Sequence, residues 1–351
     1  MEVTFITKTG ATSLKELCAL HPNDPTLHTG YGKQLMEEGR EIAAVISLRN
    51  AYQILIKENP ADAQQLVEEY GVEVSLDSMT PTASKGYLAL QNFYGRFSQK
   101  RHKVKLTEST VLFRQGESAD SVYLILEGEL AVTAEVDGKP VLLNYLHKGC
   151  LVGEGAMFKQ AVRRATVVSN TETLLMRFSP ENLGKAFEAY PDLNLTFSKE
   201  SLLRRRMAVL SSSLLFSRLP MDVRFLIAKR TWNVTYKSGE TIKDRLDYMP
   251  YMALIASGVV HLYEETSDAR IYCGRLKPGA VLGLHKFVRY EASNLIYVAE
   301  SDCELECIDF TVIEDVMDIS PWFHQEIKMM EKNLSDQITR TIMLQGMQTA
   351  L

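Results

Sequence analysis

The stretch GEGAMFKQAVRRATV, from Gly153 to Val167, gathers residue types that hold anions and hydroxyls. Gly153 and Gly155 let another molecule approach the main chain. Glu154 supplies a carboxylate that accepts hydrogen bonds. Arg163 and Arg164 supply guanidinium forks, whose charge-assisted bonds to phosphate are roughly twice as strong as neutral ones. A main chain running through Gly155 and Ala156 into a short helical turn can aim bare N–H groups at a phosphate, and small residues are needed there because a long side chain would block the approach. Ala165 and Thr166 complete the candidate set at the start of the next strand. The plainer alternative is that Glu154 and Arg163 pair with each other as a surface salt bridge.

Residues of this kind need a rigid frame, and the surrounding pattern is that of short strands. STVLFRQGESADSVYLILEGELAVTAEVDGKPVLLNYLHKG alternates apolar with polar residues between turn signals at QGESAD, EGE, VDGKP and HKG. Short strands with regular turns imply an antiparallel barrel or sandwich. Asp137-Gly138 suits a tight hairpin. Helical spacing returns in SPENLGKAFEAYPDLNLTFSKESLLRRRMAVL, with Ser179 as N-cap and Pro180 at the first helical position. The order then repeats: LIASGVVHL answers LILEGELAV, LKPGAVLG answers LHKGCLVG, and a closing helix again begins at Ser-Pro. A period of about 130 residues means two copies of one domain, not a solenoid.

At GESADSVYLILEGEL and LVGEGAMFKQAVRRATV together the chain resembles the cyclic nucleotide-binding domain family. The family's phosphate-binding cassette reads Gly-Glu, small or apolar residues, a gap, then Arg-x-Ala-Thr/Ser-Val. Here that is Gly153-Glu154, Ala156 and Arg163-Arg164-Ala165-Thr166-Val167, with Gly116 and Gly128 as the hairpin glycines. The resemblance implies an α+β fold: tandem antiparallel jelly-roll barrels of eight strands with flanking helices. It also implies a 3′,5′-cyclic nucleotide as ligand, with arginine on the phosphate and Glu154 accepting from the ribose 2′-hydroxyl. Counting nine residues on from Glu154 and matching the motif both favour Arg163 as the phosphate ligand, with Arg164 the alternative. Arg164 stands where family members often carry Ala, Thr or Ser. With no hydroxyl there the expectation leans to cyclic AMP, and Thr166 keeps cyclic GMP open.

The second copy keeps the framework and loses the chemistry. Gly283-Leu284 replaces Gly-Glu, Ser293 stands nine residues beyond Leu284, and Arg289 falls four residues early. A buried phosphate without its arginine is an unpaired charge, so this copy is not expected to bind a nucleotide in the family's manner. Between the copies, RRRMAV (Arg204–Val209) is similar to the pseudosubstrate of cyclic-AMP-dependent protein kinase regulatory subunits. Helix continuity favours a solvated basic face between Leu203, Met207 and Leu210. The last helix aligns Phe323, Ile327, Met330, Leu334 and Ile338, either packing on its own barrel or forming a dimer seam. Ahead of the barrels, DPTLHTGYGKQLMEEGREIAAVISLRNAYQILIKENP reads as a helical hairpin broken at Gly39 and stopped at Pro60, weakly similar to a tetratricopeptide unit. The expected division is a helical region 1–74 after a short strand-like start, a linker 75–86, a first barrel domain 87–211 and a degenerate second domain 212–351.

A chain of 351 residues has room for these domains, and its net charge of −5 argues against a main role in coating nucleic acid. The N-terminus MEVTFITKTG lacks a secretory pattern, and no window reaches the roughly 18 apolar residues of a membrane span. Five scattered cysteines form no disulfide framework. Cys303 and Cys307 would sit roughly 13 Å apart along a strand, too far for one metal ion. The seven histidines show no close pair at metal spacing. Trp232 and Trp322 read as packing residues. No nucleophile elbow, P-loop or zinc signature is present, and only about thirty residues follow the second barrel, too few for a helix-turn-helix domain. The expectation is therefore a cytoplasmic, non-catalytic sensor without cofactor or metal, signalling through helices to an unidentified protein partner. It makes no use of DNA or membrane insertion, and homodimerisation is left open. The alternative is a ligand-independent scaffold using both barrels as interfaces.

Overall fold

The computed structural model describes residues 13–71, 102–136, 139–157, 162–244, 249, 251–265, 269–284 and 294–349. The strand-like start, the linker 75–86 and the Asp137-Gly138 turn lie outside them. In the N-terminal part, Leu14–Leu20 (α1), Pro25–Glu37 (α2), Glu41–Glu58 (α3) and Pro60–Tyr70 (α4) follow one another with short breaks. Ser13 and Glu16 form a capping box on α1, and Asp24 caps α2 ahead of Pro25. The chain turns between α2 and α3 at Gly39, whose φ of 74° favours glycine. Pro60 ends α3 and also opens α4, because its missing N–H costs nothing at a first helical position.

Two barrels follow. The first holds Lys103–Leu106 (β1), Val111–Phe113 (β2), Val122–Glu127 (β3), Glu129–Val136 (β4), Lys139–His147 (β5), Leu151–Val152 (β6), Thr166–Ser169 (β7) and Thr173–Phe178 (β8). Its strands form two four-stranded antiparallel sheets, ordered β1-β8-β3-β6 and β2-β7-β4-β5. Pro180–Ala189 (α5), Pro191–Ser212 (α6) and Met221–Lys229 (α7) come next, with Ser179 capping α5 ahead of Pro180 as the sequence predicts.

The second barrel holds Thr231–Tyr236 (β9), Thr241–Lys243 (β10), Tyr251–Ser257 (β11), Val260–Glu265 (β12), Arg270–Leu276 (β13), Val281–Leu282 (β14), Leu295–Ala299 (β15) and Cys303–Asp309 (β16). Its sheets run β9-β16-β11-β14 and β10-β15-β12-β13, the same order as in the first barrel. Each barrel closes over its own core, with Ile125, Leu130, Leu146, Val167 and Leu175 in the first and Ile255, Leu262, Leu282, Tyr297 and Leu305 in the second. Alternation along each strand turns one set of side chains inward, and burying that set holds the two sheets together.

Phe310–Ile319 (α8) and Pro321–Thr349 (α9) end the chain. Two compact units result: Met1–Met79 with Asp309–Gln325, and Thr80–Ile308 with Glu326–Leu351. Within the former, Asp315 of α8 completes the start of α3. Arg40, the residue before α3, gives no side-chain cap. Asp315 instead accepts from the Ile42 N–H at 3.2 Å and from Arg40 Nε at 2.9 Å, and Asp318 pairs with Arg40 at 2.6 Å. Within the latter, Leu334, Ile338 and Ile342 of α9 pack on the second barrel's core, so this face covers its own barrel. Among the described residues no helix is long and apolar enough to cross a membrane, and no cluster of side chains could hold a metal ion. All five cysteines are free and buried.

Candidate functional site

The cassette hangs from β6. Leu151 and Val152 pair with Leu124 and Tyr123 of β3, and the chain then turns sharply at Gly153, whose φ is 82°. A 3-10 turn over Glu154–Met157 follows, anchored where Ala156 packs into the core beside Leu151 and Met176. On the other side, the main chain of Arg163 is held by the turn between β2 and β3. The Arg163 N–H donates to the Glu117 carbonyl at 2.7 Å, and the Arg163 carbonyl accepts from the Gly116 N–H at 2.8 Å.

This clamp sends the Arg163 side chain inward. It is 4% exposed, lies 4.0 Å above the Phe113 ring, and donates from Nη1 to the Gly153 carbonyl at 3.1 Å. Its Nη2 is 3.7 Å from the exposed Asp120 carboxylate, and its Nε has no hydrogen-bond partner among the described residues. Burial pulls its pKa below the ordinary guanidinium value, with Asp120 opposing. Arg164, one residue on in the bend that leads into β7, is exposed. Of the two arginines, only Arg163 turns into the barrel. A methyl group on Gly153 would overlap Arg163 Nη1, whereas one on Gly155 would meet nothing closer than 3.9 Å.

Residues 103–190 match the cyclic nucleotide-binding domain family. The cAMP-activated global transcriptional regulator CRP of Salmonella typhimurium is 30% identical over 112 residues, which cover 31% of this chain and 52% of that protein. Lysophospholipase nte1 of Aspergillus oryzae is 29% identical over 105 residues, 30% of this chain and 7% of that one. The chain thus spans about half the length of the first of these relatives and far less of the second. Among solved structures, the regulatory domain of Toxoplasma gondii PKA with cAMP is 17% identical, with a TM-score of 0.36 over 72% of this chain and 97% of that one. The regulatory subunit of a cAMP-independent protein kinase A from Trypanosoma brucei is 18% identical, with a TM-score of 0.32 over 64% and 80%. The jelly-roll assignment rests on the strand order given above.

Within the matched segment, Glu154 and Arg163 do not pair with each other, which removes the surface salt-bridge alternative. Glu154 is half-buried and turned to α6, where its Oε1 accepts from Ser201 Oγ at 3.2 Å and faces Arg204 Nε at 3.5 Å. Glu200, one turn earlier, also faces Arg204, and burial raises its pKa. Ala165 and Thr166 are half-buried at the start of β7, and the Thr166 hydroxyl accepts from the Gln115 N–H at 3.0 Å.

The basic triplet on α6 corrects the sequence expectation of a solvated face. Side-chain exposures of Arg204, Arg205 and Arg206 are only 14%, 34% and 16%. Arg204 turns to the first barrel, whereas Arg205 and Arg206 turn to Glu304 and the buried Glu306 on β16 of the second. Successive helix positions point about 100° apart, so a helix lying between two barrels turns the members of such a run to different barrels. The triplet is helical and ion-paired, unlike an exposed inhibitor segment.

Sequence reasoning missed Phe113, Asp120, Ser201 and Arg204 as partners of the cassette. Asp120 lies in the quoted QGESAD turn, and Arg204 stands in the RRRMAV run, read for its pseudosubstrate likeness and its basic face and not as a partner of Glu154. Phe113 and Ser201 carry no local signal. In the second copy, Gly283 repeats the elbow with φ 86° and Leu284 is buried. Arg289 and Ser293 lie outside the described residues. Trp232 packs edge-on against Tyr251 of its own barrel.

Proposed function

We propose that this chain is a non-catalytic cyclic nucleotide sensor. A 3′,5′-cyclic nucleotide, cyclic AMP ahead of cyclic GMP, binds the first barrel, and α6 reports its presence to a protein partner. The observation that carries the reading is the inward Arg163 guanidinium, almost wholly buried, with Nε unpartnered among the described residues and only a carbonyl and an exposed carboxylate against its other nitrogens. A buried cation so thinly satisfied is stabilised by a delocalised anion. The phosphate would take the Arg163 fork in place of the Gly153 carbonyl and Asp120, while main-chain N–H groups after Glu154 complete its shell.

The ribose 2′-hydroxyl then donates to Glu154. That carboxylate already serves Ser201 and Arg204 of α6, so ligand and helix share one acceptor. Binding changes how firmly the first barrel holds α6, whose next two arginines grip the second barrel. Linkage of this kind amounts to about 1–3 kcal/mol of coupling. A net charge of −5 disfavours a phosphate-backbone target.

Calorimetric titration with cyclic AMP, cyclic GMP and 2′-deoxy cyclic AMP tests the reading. Saturable binding of cyclic AMP is expected, weaker for the deoxy compound and lost in Arg163→Glu. Wild-type affinity in Arg163→Glu refutes it.

A further inference from the structure

The two barrels repeat one another closely enough to compare position by position. The β10–β15 ladder pairs Thr241 with Val298 and Lys243 with Tyr297. The β2–β7 ladder pairs Val111 with Val168 and Phe113 with Val167. Tyr297 therefore stands where the first barrel has Val167, and Lys243 stands where it has Phe113, the ring beneath Arg163. Gly283 repeats Gly153, with φ of 86° against 82°.

These exchanges alter what faces the elbow. Tyr297 is 1% exposed and packs with Leu262, Cys273 and Leu282 in the second core. Burial raises the pKa of its phenol, and hydrogen bonding to the Gly283 main chain lowers it. In the first barrel, the same elbow holds Arg163 through the Gly153 carbonyl. Lys243 is 2% exposed, and its ammonium donates to the Leu295 carbonyl at 2.7 Å and the Asp244 carbonyl at 3.0 Å. Glu264 also feels this charge: burial raises its pKa and Lys243 lowers it. The first barrel thus keeps a cation with a nitrogen unpartnered among the described residues, whereas the second has an aromatic ring at its elbow and a cation tied to carbonyls.

We propose that the second barrel is filled from within: the Tyr297 ring at the Gly283 elbow and the carbonyl-bound Lys243 ammonium occupy the room and the hydrogen-bonding positions that a bound anion would need. This barrel is a permanently occupied platform against which Arg205 and Arg206 of α6 are held. The inference does not depend on the reading given to the first barrel, since a filled second barrel stays filled whatever the first one binds.

Two measurements on the full chain test it. Tyr297→Val copies Val167 and leaves a cavity shaped for a phenol, and p-cresol, the free tyrosine side chain, is the probe. The variant is expected to melt about 5–10 °C below wild type and to regain part of that loss in millimolar p-cresol, to which wild type does not respond. A variant as stable as wild type, or an equal response of both proteins to p-cresol, overturns the proposal. The second measurement needs no core variant: titration of wild type and Arg163→Glu with cyclic AMP. At most one site per chain in wild type supports the filled barrel, and two sites per chain in wild type, one of them surviving in Arg163→Glu, overturn it. Absence of binding by wild type sinks the reading of the first barrel and agrees with the filling of the second.

Discussion

Replacing Arg163 by methionine separates a ligand-holding arginine from a structural one. The unbranched apolar stem of methionine can still lie against Phe113. Without ligand, the variant loses one hydrogen bond to the Gly153 carbonyl at 3.1 Å and the cation–π interaction with the Phe113 ring at 4.0 Å, together about 1.5–3 kcal/mol. The 3.7 Å approach to the exposed Asp120 adds little. Against this, the variant no longer desolvates a guanidinium that is 4% exposed, which costs several kcal/mol in an effective sense. The two sums nearly cancel, so unliganded stability should change by less than about 1.5 kcal/mol in either direction. Binding has no such compensation. Two charge-assisted bonds of about 1.5–3 kcal/mol each disappear, and the phosphate is left unpaired in the barrel, so affinity for cyclic AMP should fall about 10²–10⁴-fold. Calorimetric titration and a thermal melt without ligand measure the two effects separately. An affinity loss of less than tenfold, or a fall in unliganded stability that matches the loss in binding, refutes the reasoning. Arg164→Met, at the exposed position in the bend before β7, is the control and should leave affinity within about threefold, the scale of a screened surface charge.

Gly153→Ala places an L-residue at φ 82° and a methyl group against Arg163 Nη1; it should destabilise by about 1–3 kcal/mol in a thermal melt and weaken cyclic AMP binding more than tenfold. Asp315→Ala removes the cap on α3 and the partner of Arg40, a loss of about 2–4 kcal/mol that urea denaturation followed by helical circular dichroism would register. Glu306 has its pKa raised from 4.5 by burial, with Arg206 and Arg205 opposing. It therefore binds a proton in the folded chain before it does so in the unfolded one. Its contribution to stability is fully present below 4.5 and is lost as the pH rises through the raised value. On going from about pH 7.5 to about pH 5, wild type should gain melting temperature relative to Glu306→Gln; a pH-independent difference between the two proteins would count against this.

Much of the architecture was legible because its signals are local. Turn residues, the change from period two to helical spacing, and Ser179-Pro180 at a helix start each depend on residues within a few positions. The Gly-Glu elbow and the Arg-x-Ala-Thr-Val strand start are likewise contiguous, so the candidate site could be named without coordinates. The fate of the Arg204–Arg206 run was not legible. A helix position gives the direction of a side chain but not what lies in that direction, and only packing puts β16 opposite two of these residues and Glu154 opposite the third.

The sequence by itself determined the repeat of about 130 residues, the two barrels and the cassette on the first of them, because period and turn chemistry are properties of neighbouring residues. The tertiary structure alone decided that Arg163 turns inward while Arg164 faces solvent, that Glu154 is held by α6, that Asp315 caps α3 from the far end of the chain, and that Tyr297 fills its own barrel. Each of these joins residues distant in sequence or selects between adjacent side chains by what surrounds them. Such contacts exist only once the strands have closed and buried the faces between them.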